Sequence, residues 1–254
     1  MDRATKRALG TQEEATNALV LEYYLVRQAL GYLGFFLPIS LLIYGLLPDR
    51  IFQPSISEFY YTHMGDVLVG TLCAIGIFLF AYKGYAKRAD EWLSDKWLAR
   101  VAGISAIGIA LFPVPLKEPL TPDMCANLDI HLGLECHSNI LHFGSAAIFF
   151  ICMLVFCIFV FTKGDRDDKG KLIWTGENVI YVTCGVLIGI AILAMLPYLF
   201  VETWREPLAK LKYLYFWESV GVFAFATAWL RKGRGLKVLQ AAVDKIAPAA
   251  PADA

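Results

Sequence analysis

Charge is scarce in this chain. Asp, Glu, Lys and Arg make up 18% of the 254 residues, where a soluble domain carries about 25%. Lys and Arg (23) balance Asp and Glu (23), so there is no basic surplus of the kind that holds nucleic acid. Nucleic acid is therefore not an expected partner. Several chemical signatures are missing as well. The sequence has no glycine-rich phosphate loop, no His-Glu-x-x-His helix and no nucleophile elbow. Its apolar stretches lack the arginine ladder of a voltage sensor and the paired acids of a pump. None has the central Gly/Pro break of a transporter helix. No residue-level internal repeat is visible. The start is polar up to about Asn17, and the first apolar run comes too late and runs too long for a cleavable signal peptide.

What is abundant is apolar sequence, at 57% of residues. This excludes a disordered chain and an ordinary soluble enzyme. About 20 apolar residues cross about 30 Å of hydrocarbon as a helix. Six stretches fit or nearly fit: Ala29–Leu47, Asp66–Tyr82, Val101–Leu116, His142–Thr162, Asn178–Val201 and Leu214–Leu230. The third is the weakest, because it is short and ends in Phe112-Pro113-Val114-Pro115. The runs are continuous rather than alternating, so helices are expected and a membrane β-barrel is not. Pro38 and Pro197 are kink candidates. Gly185 and Gly189 have the spacing of a helix-packing face.

The basic residues set an orientation. Alternate assignment of the connecting segments puts 18 of the 23 Lys and Arg residues on one side and five (Arg50, Lys117, Arg205, Lys210 and Lys212) on the other. By the positive-inside rule the crowded side is cytoplasmic. The expected fold is therefore an all-α polytopic membrane protein with six transmembrane helices and both termini inside. Residues 1–28 read as a cytoplasmic amphipathic segment, 29–232 as the helical domain and 233–254 as a cytoplasmic tail. The plasma membrane, the inner membrane in a bacterium, is the expected location. Cys125 and Cys136 share the largest outer loop and are candidates for a disulfide on an oxidising side.

All four histidines (His63, His131, His137 and His142) fall on the outer side or at its membrane edge. Histidine is the commonest metal ligand and titrates near neutrality. Three polar regions are expected to meet there. The first, Ser55 to Asp66, contains Ser57, Glu58, Tyr60, Tyr61 and His63 and leads into the second span. The second, Glu135 to His142, contains His137 and Asn139. The third is Phe216-Trp217-Glu218-Ser219 at the start of the last span. Glu58, Tyr60, Tyr61, Asn139 and Trp217 are candidate ligand-binding residues. Asp66 suits the positive end of its helix, where a cap would also explain it. Glu218 should sit one turn below the surface, where an acid is costly unless paired or wet. The aromatic residues fit an interfacial belt equally well, and a folded outer cap would equally explain the first region.

Three short elements carry a resemblance: Ile56-Ser57-Glu58, His142-Phe143-Gly144-Ser145-Ala146-Ala147 and Trp217-Glu218. Together they resemble the DRAM/Frag/Sfk superfamily of six-span proteins, over about residues 30–232. Relatives usually continue the first element Asp-Thr-Gly where this chain has Glu-Phe-Tyr. The resemblance implies six helices, an outward polar cluster and a lipid-related role. A looser similarity is to the alkaline-ceramidase-like hydrolases, which bind zinc through Ser, Asp and His residues at one membrane face. It implies such roles for Ser57, Asp66, His137 and His142, although those proteins have seven spans and a His-x-x-x-His pair.

Three functions follow as expectations. The first is a lipid-associated or ligand-binding membrane protein built around the outer His/Asp/Glu cluster. The second is a metal-dependent lipid hydrolase or acyl-transfer enzyme. In it His63, His137, His142 and Asp66 would hold a metal, zinc being the candidate, to activate water, with Glu218 as base. The third is an interaction subunit of a membrane complex. Membrane lipid is the expected partner, with a second copy or another membrane protein as further candidates.

Overall fold

The computed structural model describes residues 3–84, 93–114, 138–163 and 174–234, with side chains from residue 24 onward and, in the third segment, from residue 140. These residues form an all-α structure of seven α-helices. They are α1 (Arg3–Gly45), α2 (Gly65–Ala81), α3 (Asp95–Leu111), α4 (Ser138–Val155), α5 (Gly176–Phe200), α6 (Glu202–Lys210) and α7 (Tyr213–Lys232). A π turn, Phe156–Val160, prolongs α4, and a 3-10 turn, Ser57–Tyr61, lies between α1 and α2. Each of the six apolar stretches is helical. Three segments are long and apolar enough to cross a membrane: Tyr24–Gly45, Ile140–Val160 and Gly176–Phe200; α2 is a shorter apolar helix. Large apolar side chains such as Phe36, Ile43, Ile77, Ile104, Ile151 and Leu193 remain exposed on the outside of the bundle. Such a surface is a liability in water and ordinary in lipid. The chain is a membrane protein.

The helices close into a ring. Each of α1 to α5 packs on the next, α5 packs on α7, and α7 returns to α1. Lipid tails are as apolar as leucine, so helix association in a membrane relies on close packing of small residues. The α2–α3 seam does this most tightly. A Cβ on Gly103 would lie 2.6 Å from the Gly76 carbonyl oxygen, and one on Gly76 would lie 2.8 Å from that of Gly103. Ala99, Ala102, Ala106 and Ala110 are buried on the same helix. Within the ring, Trp229 is fully buried against Tyr82, Phe156 and Phe161, with ring centroids 5.1, 5.4 and 5.0 Å away. Such aromatic pairs contribute about 0.5–1.5 kcal/mol each beyond the area they bury.

The third helix departs from its expected bounds of Val101–Leu116: it begins six residues earlier, at Asp95, and stops at Leu111. The stop has a local cause. A residue before proline is pushed out of helical conformation, and Phe112 before Pro113 is extended, with φ −110° and ψ 94°. That end of α3 reappears in the outer site.

Candidate functional site

The segment between α1 and α2 is a folded cap over one end of the ring, the end expected to face outward. Its anchors are spread along its length. The Lys212 ammonium donates to the Phe52 carbonyl (2.6 Å), and the Tyr215 N–H donates to that of Pro54 (2.9 Å). The Tyr61 hydroxyl donates to the Val114 carbonyl (2.6 Å). Beneath it, Phe59 is fully buried against Tyr44, Phe52 and Tyr215. The 3-10 turn is started by Ser55, which is buried and whose Oγ accepts the Glu58 N–H at 3.1 Å. A serine or threonine three residues ahead of a glutamate is a helix-start pattern, and here it fixes where Ser57 and Glu58 point.

Two contacts join this turn to the helices. The Ile56 N–H donates to Oε2 of Glu218 on α7 at 2.6 Å. One residue later, the Ser57 hydroxyl meets Nε2 of His142 on α4 at 3.1 Å. His142 is buried, and its Nδ1 lies 2.6 Å from the Phe112 carbonyl oxygen. A carbonyl only accepts, so Nδ1 carries a proton. In the neutral ring Nε2 is then an acceptor, and Ser57 is the donor. The acceptor for Nδ1 exists because Pro113 forces Phe112 out of the helix. Gly108 lets the two helices approach: a Cβ there would lie 2.5 Å from Ser145 Oγ, one turn along α4 from His142. Serine, imidazole and carbonyl thus form a chain of two hydrogen bonds anchored on three separate elements.

Glu218 is half-buried in α7 and forms no ion pair among the described residues. Its one hydrogen bond is to the Ile56 N–H, which leaves Oε1 free to accept. Glu58 is close enough for the two carboxylates to repel, and Tyr198 on α5 is within electrostatic reach of both. The Arg205 guanidinium is within electrostatic reach of the same tyrosine, and the free Oε1 of Glu218 makes the junction a locus for a donor-rich group.

The other candidates lie around this junction in different ways. Tyr60 stacks edge-on with Tyr61 (5.2 Å) and packs into the core of the cap. Trp217 is half-buried beside Tyr213 and Phe216. His63 and Asp66 are exposed. Asp66 occupies the first turn of α2, whose N-cap is Met64, so it complements the helix dipole without capping. Asn139 is the second residue of α4; His131, His137, Cys125 and Cys136 lie outside the described residues. Among the described residues no three His, Cys, Asp or Glu side chains gather as a metal site. The expected zinc ligands that are described do not fit one: His142 has both ring nitrogens engaged, and His63 and Asp66 are exposed.

A family model described as "Protein of unknown function (DUF998)" matches residues 35–231. That range takes in the cap, His142 and Glu218, and covers more than half of the chain. The chain belongs to the DUF998 family. No curated protein and no solved structure matches it.

The opposite end of the ring in this DUF998 protein carries a second polar set that sequence reading passes over. Arg27 is buried in α1, where it donates to the Tyr82 hydroxyl (2.9 Å) and the Lys232 carbonyl (3.2 Å). Asp95, also buried, pairs with Lys163 at 2.7 Å. Lys232 donates to the Phe161 carbonyl (3.1 Å) and lies over the Tyr181 ring. Gly84 has φ +65° and passes so close to Asp95 that a Cβ would sit 2.4 Å from it. Every one of these charges has a partner, so the set reads as a lock between helix ends. Arg27 within an apolar helix and Asp95 opening one were the available signals, since charges at such depth require partners.

Proposed function

We propose that this is a six-span protein of the plasma membrane, with both termini cytoplasmic, that holds a membrane lipid by its headgroup at the outer end. Residues 1–28 and 233–254 are, in this reading, inner-surface segments. The closed ring of six helices and the 18-to-5 division of basic residues support the topology. The observation that carries the function is Glu218: an acid half-buried in an apolar helix, in no ion pair among the described residues, with Oε2 on the Ile56 N–H. An acid in that position is expensive unless something neutralises it, and an ammonium-bearing headgroup supplies both charge and donors. The three elements behind the DRAM/Frag/Sfk resemblance touch at this junction, through the Ile56–Glu218 and Ser57–His142 contacts. This supports a lipid-related role.

Native mass spectrometry of the detergent-purified protein tests the reading. Phosphatidylethanolamine, added against phosphatidylglycerol, should be retained preferentially. Glu218→Gln keeps an acceptor for the Ile56 N–H and removes the charge, so it should lose that preference while remaining folded. Equal retention of both lipids, or an unchanged preference in the variant, would sink the proposal.

A further inference from the structure

We propose that Ser57 is a nucleophile and His142 its base, and that the outer end cleaves or transfers the acyl chain of a lipid carboxylic ester. The inference rests on the reading of the outer end as a lipid site and adds a reaction to it. It stands on the order of the hydrogen bonds. The activated-serine arrangement needs a nucleophile within reach of a base, and a third group that holds the base in the right tautomer. Here Ser57 Oγ is 3.1 Å from Nε2, and the Phe112 carbonyl, 2.6 Å from Nδ1, imposes the Nδ1–H tautomer. The position suits an acyl ester. Leu111, Ile140 and Phe143, at the ends of α3 and α4 beside His142, are exposed at 60, 77 and 37%. They offer apolar surface to a chain whose ester lies at the edge of the hydrocarbon. Ser57 itself is half-buried, whereas His142 is buried, so the serine is the more accessible of the two.

The steps balance. Ser57 Oγ attacks the ester carbonyl carbon, and its proton passes to Nε2 of His142. The carbon–oxygen bond to the leaving alcohol breaks, and that alcohol takes the proton from Nε2. Water, or the hydroxyl of a second lipid, then attacks the acyl-Ser57 ester and gives its proton to Nε2. Ser57 leaves, recovers the proton, and a carboxylic acid or a new ester departs. No oxidant, reductant or further reactant is required.

The test is an alkyl fluorophosphonate, which forms a phosphorus–oxygen bond to an activated serine with loss of fluoride. It is applied to the full-length protein in detergent and followed by peptide mass mapping. An adduct on Ser57 is expected. In His142→Gln the labelling rate should fall by about 100-fold or more, the range a general base contributes. Ser57→Ala should carry no adduct in this peptide. Monodisperse wild-type protein without an adduct on Ser57 would overturn the inference, and this arm does not depend on any variant folding. Labelling of Ser57 that is equally fast in folded His142→Gln would overturn the role of the histidine. The lipid-retention measurement is separate. Retained phosphatidylethanolamine with an inert Ser57 leaves a binding site and refutes the chemistry, while loss of retention refutes the site on which the chemistry rests.

Discussion

Replacing Glu218 in two ways separates what it does for the fold from what it does for a ligand. The Ile56 N–H is buried with its residue, at 6% exposure, and Glu218 Oε2 is its acceptor at 2.6 Å. Glu218→Ala removes that acceptor. An orphaned buried donor costs about 1–3 kcal/mol, and the cap loses one of its attachments to α7. Glu218→Gln keeps a carbonyl oxygen of the same reach. It gives up a charge-assisted bond for a neutral one, a loss of about 1 kcal/mol. It also removes a desolvated charge facing Glu58, a relief of similar or larger size. The two nearly cancel, so the Gln variant should match the wild type or exceed it. Tryptophan fluorescence in detergent reads both. For a chain of this size about 2 kcal/mol corresponds to a midpoint shift of about 4–8 °C. The expected result is a fall of that size for Ala and no fall for Gln. Equal losses in both would refute the reasoning, since the stability would then reside in the charge itself.

Three other substitutions probe the frame. Gly103→Ala drives a methyl into the backbone of α2, which cannot rotate away, and should destabilise by about 1–3 kcal/mol; thermal melts check it, and a neutral result would mean the seam is looser than the 2.6 Å approach indicates. Asp95→Ala removes the 2.7 Å ion pair with Lys163 and should cost about 3 kcal/mol, the low end for a broken buried pair because Lys163 is 21% exposed. Lys163→Ala breaks the same ion pair from the other side and should also destabilise, by a similar amount. By contrast His63→Ala should fall within about 0.5 kcal/mol of wild type, and Asp66→Asn should lose only a helix-dipole term of about 0.3–1 kcal/mol. Neither should alter lipid retention measured by native mass spectrometry.

The helices were legible because hydrocarbon leaves the backbone no alternative. Six apolar runs translate directly into six helical segments, and Pro113 stops the third within a residue of where its chemistry says it must. Among the described residues, Ser57, His142 and Glu218, one from each of the three polar regions, also lie at the same end of the ring. What could not be read was which atoms within those regions touch. Ser57 and His63 lie six residues apart in the same segment, yet the 3-10 turn and the bend after it send one to His142 and the other outward. The Phe112 carbonyl is invisible in a search for side chains, although it sets the tautomer of His142. Phe112-Pro113 reads in sequence as a weakness of the third span, and in the structure it supplies the acceptor. The lock at the opposite end was missed for a related reason. Asp95, Lys163 and Lys232 sit at helix ends, where charges are ordinarily solvated, Arg27 lies within α1, and only the packing of segments distant in sequence brings them to their partners. His137 and the Cys125–Cys136 pair lie outside the described residues.

The most direct test of a lipid site at the outer end is photocrosslinking in membranes. A phosphatidylethanolamine carrying a diazirine next to its headgroup is incorporated, irradiated, and its adducts are mapped by mass spectrometry. A site formed by the cap, α4 and α7 should concentrate adducts on the cap turn near Ser57, on Ile140 to Phe143 and on the first two turns of α7. Glu218→Gln should thin them out. Adducts spread evenly over the lipid-facing belt, or gathered at the Arg27 end, would contradict the account.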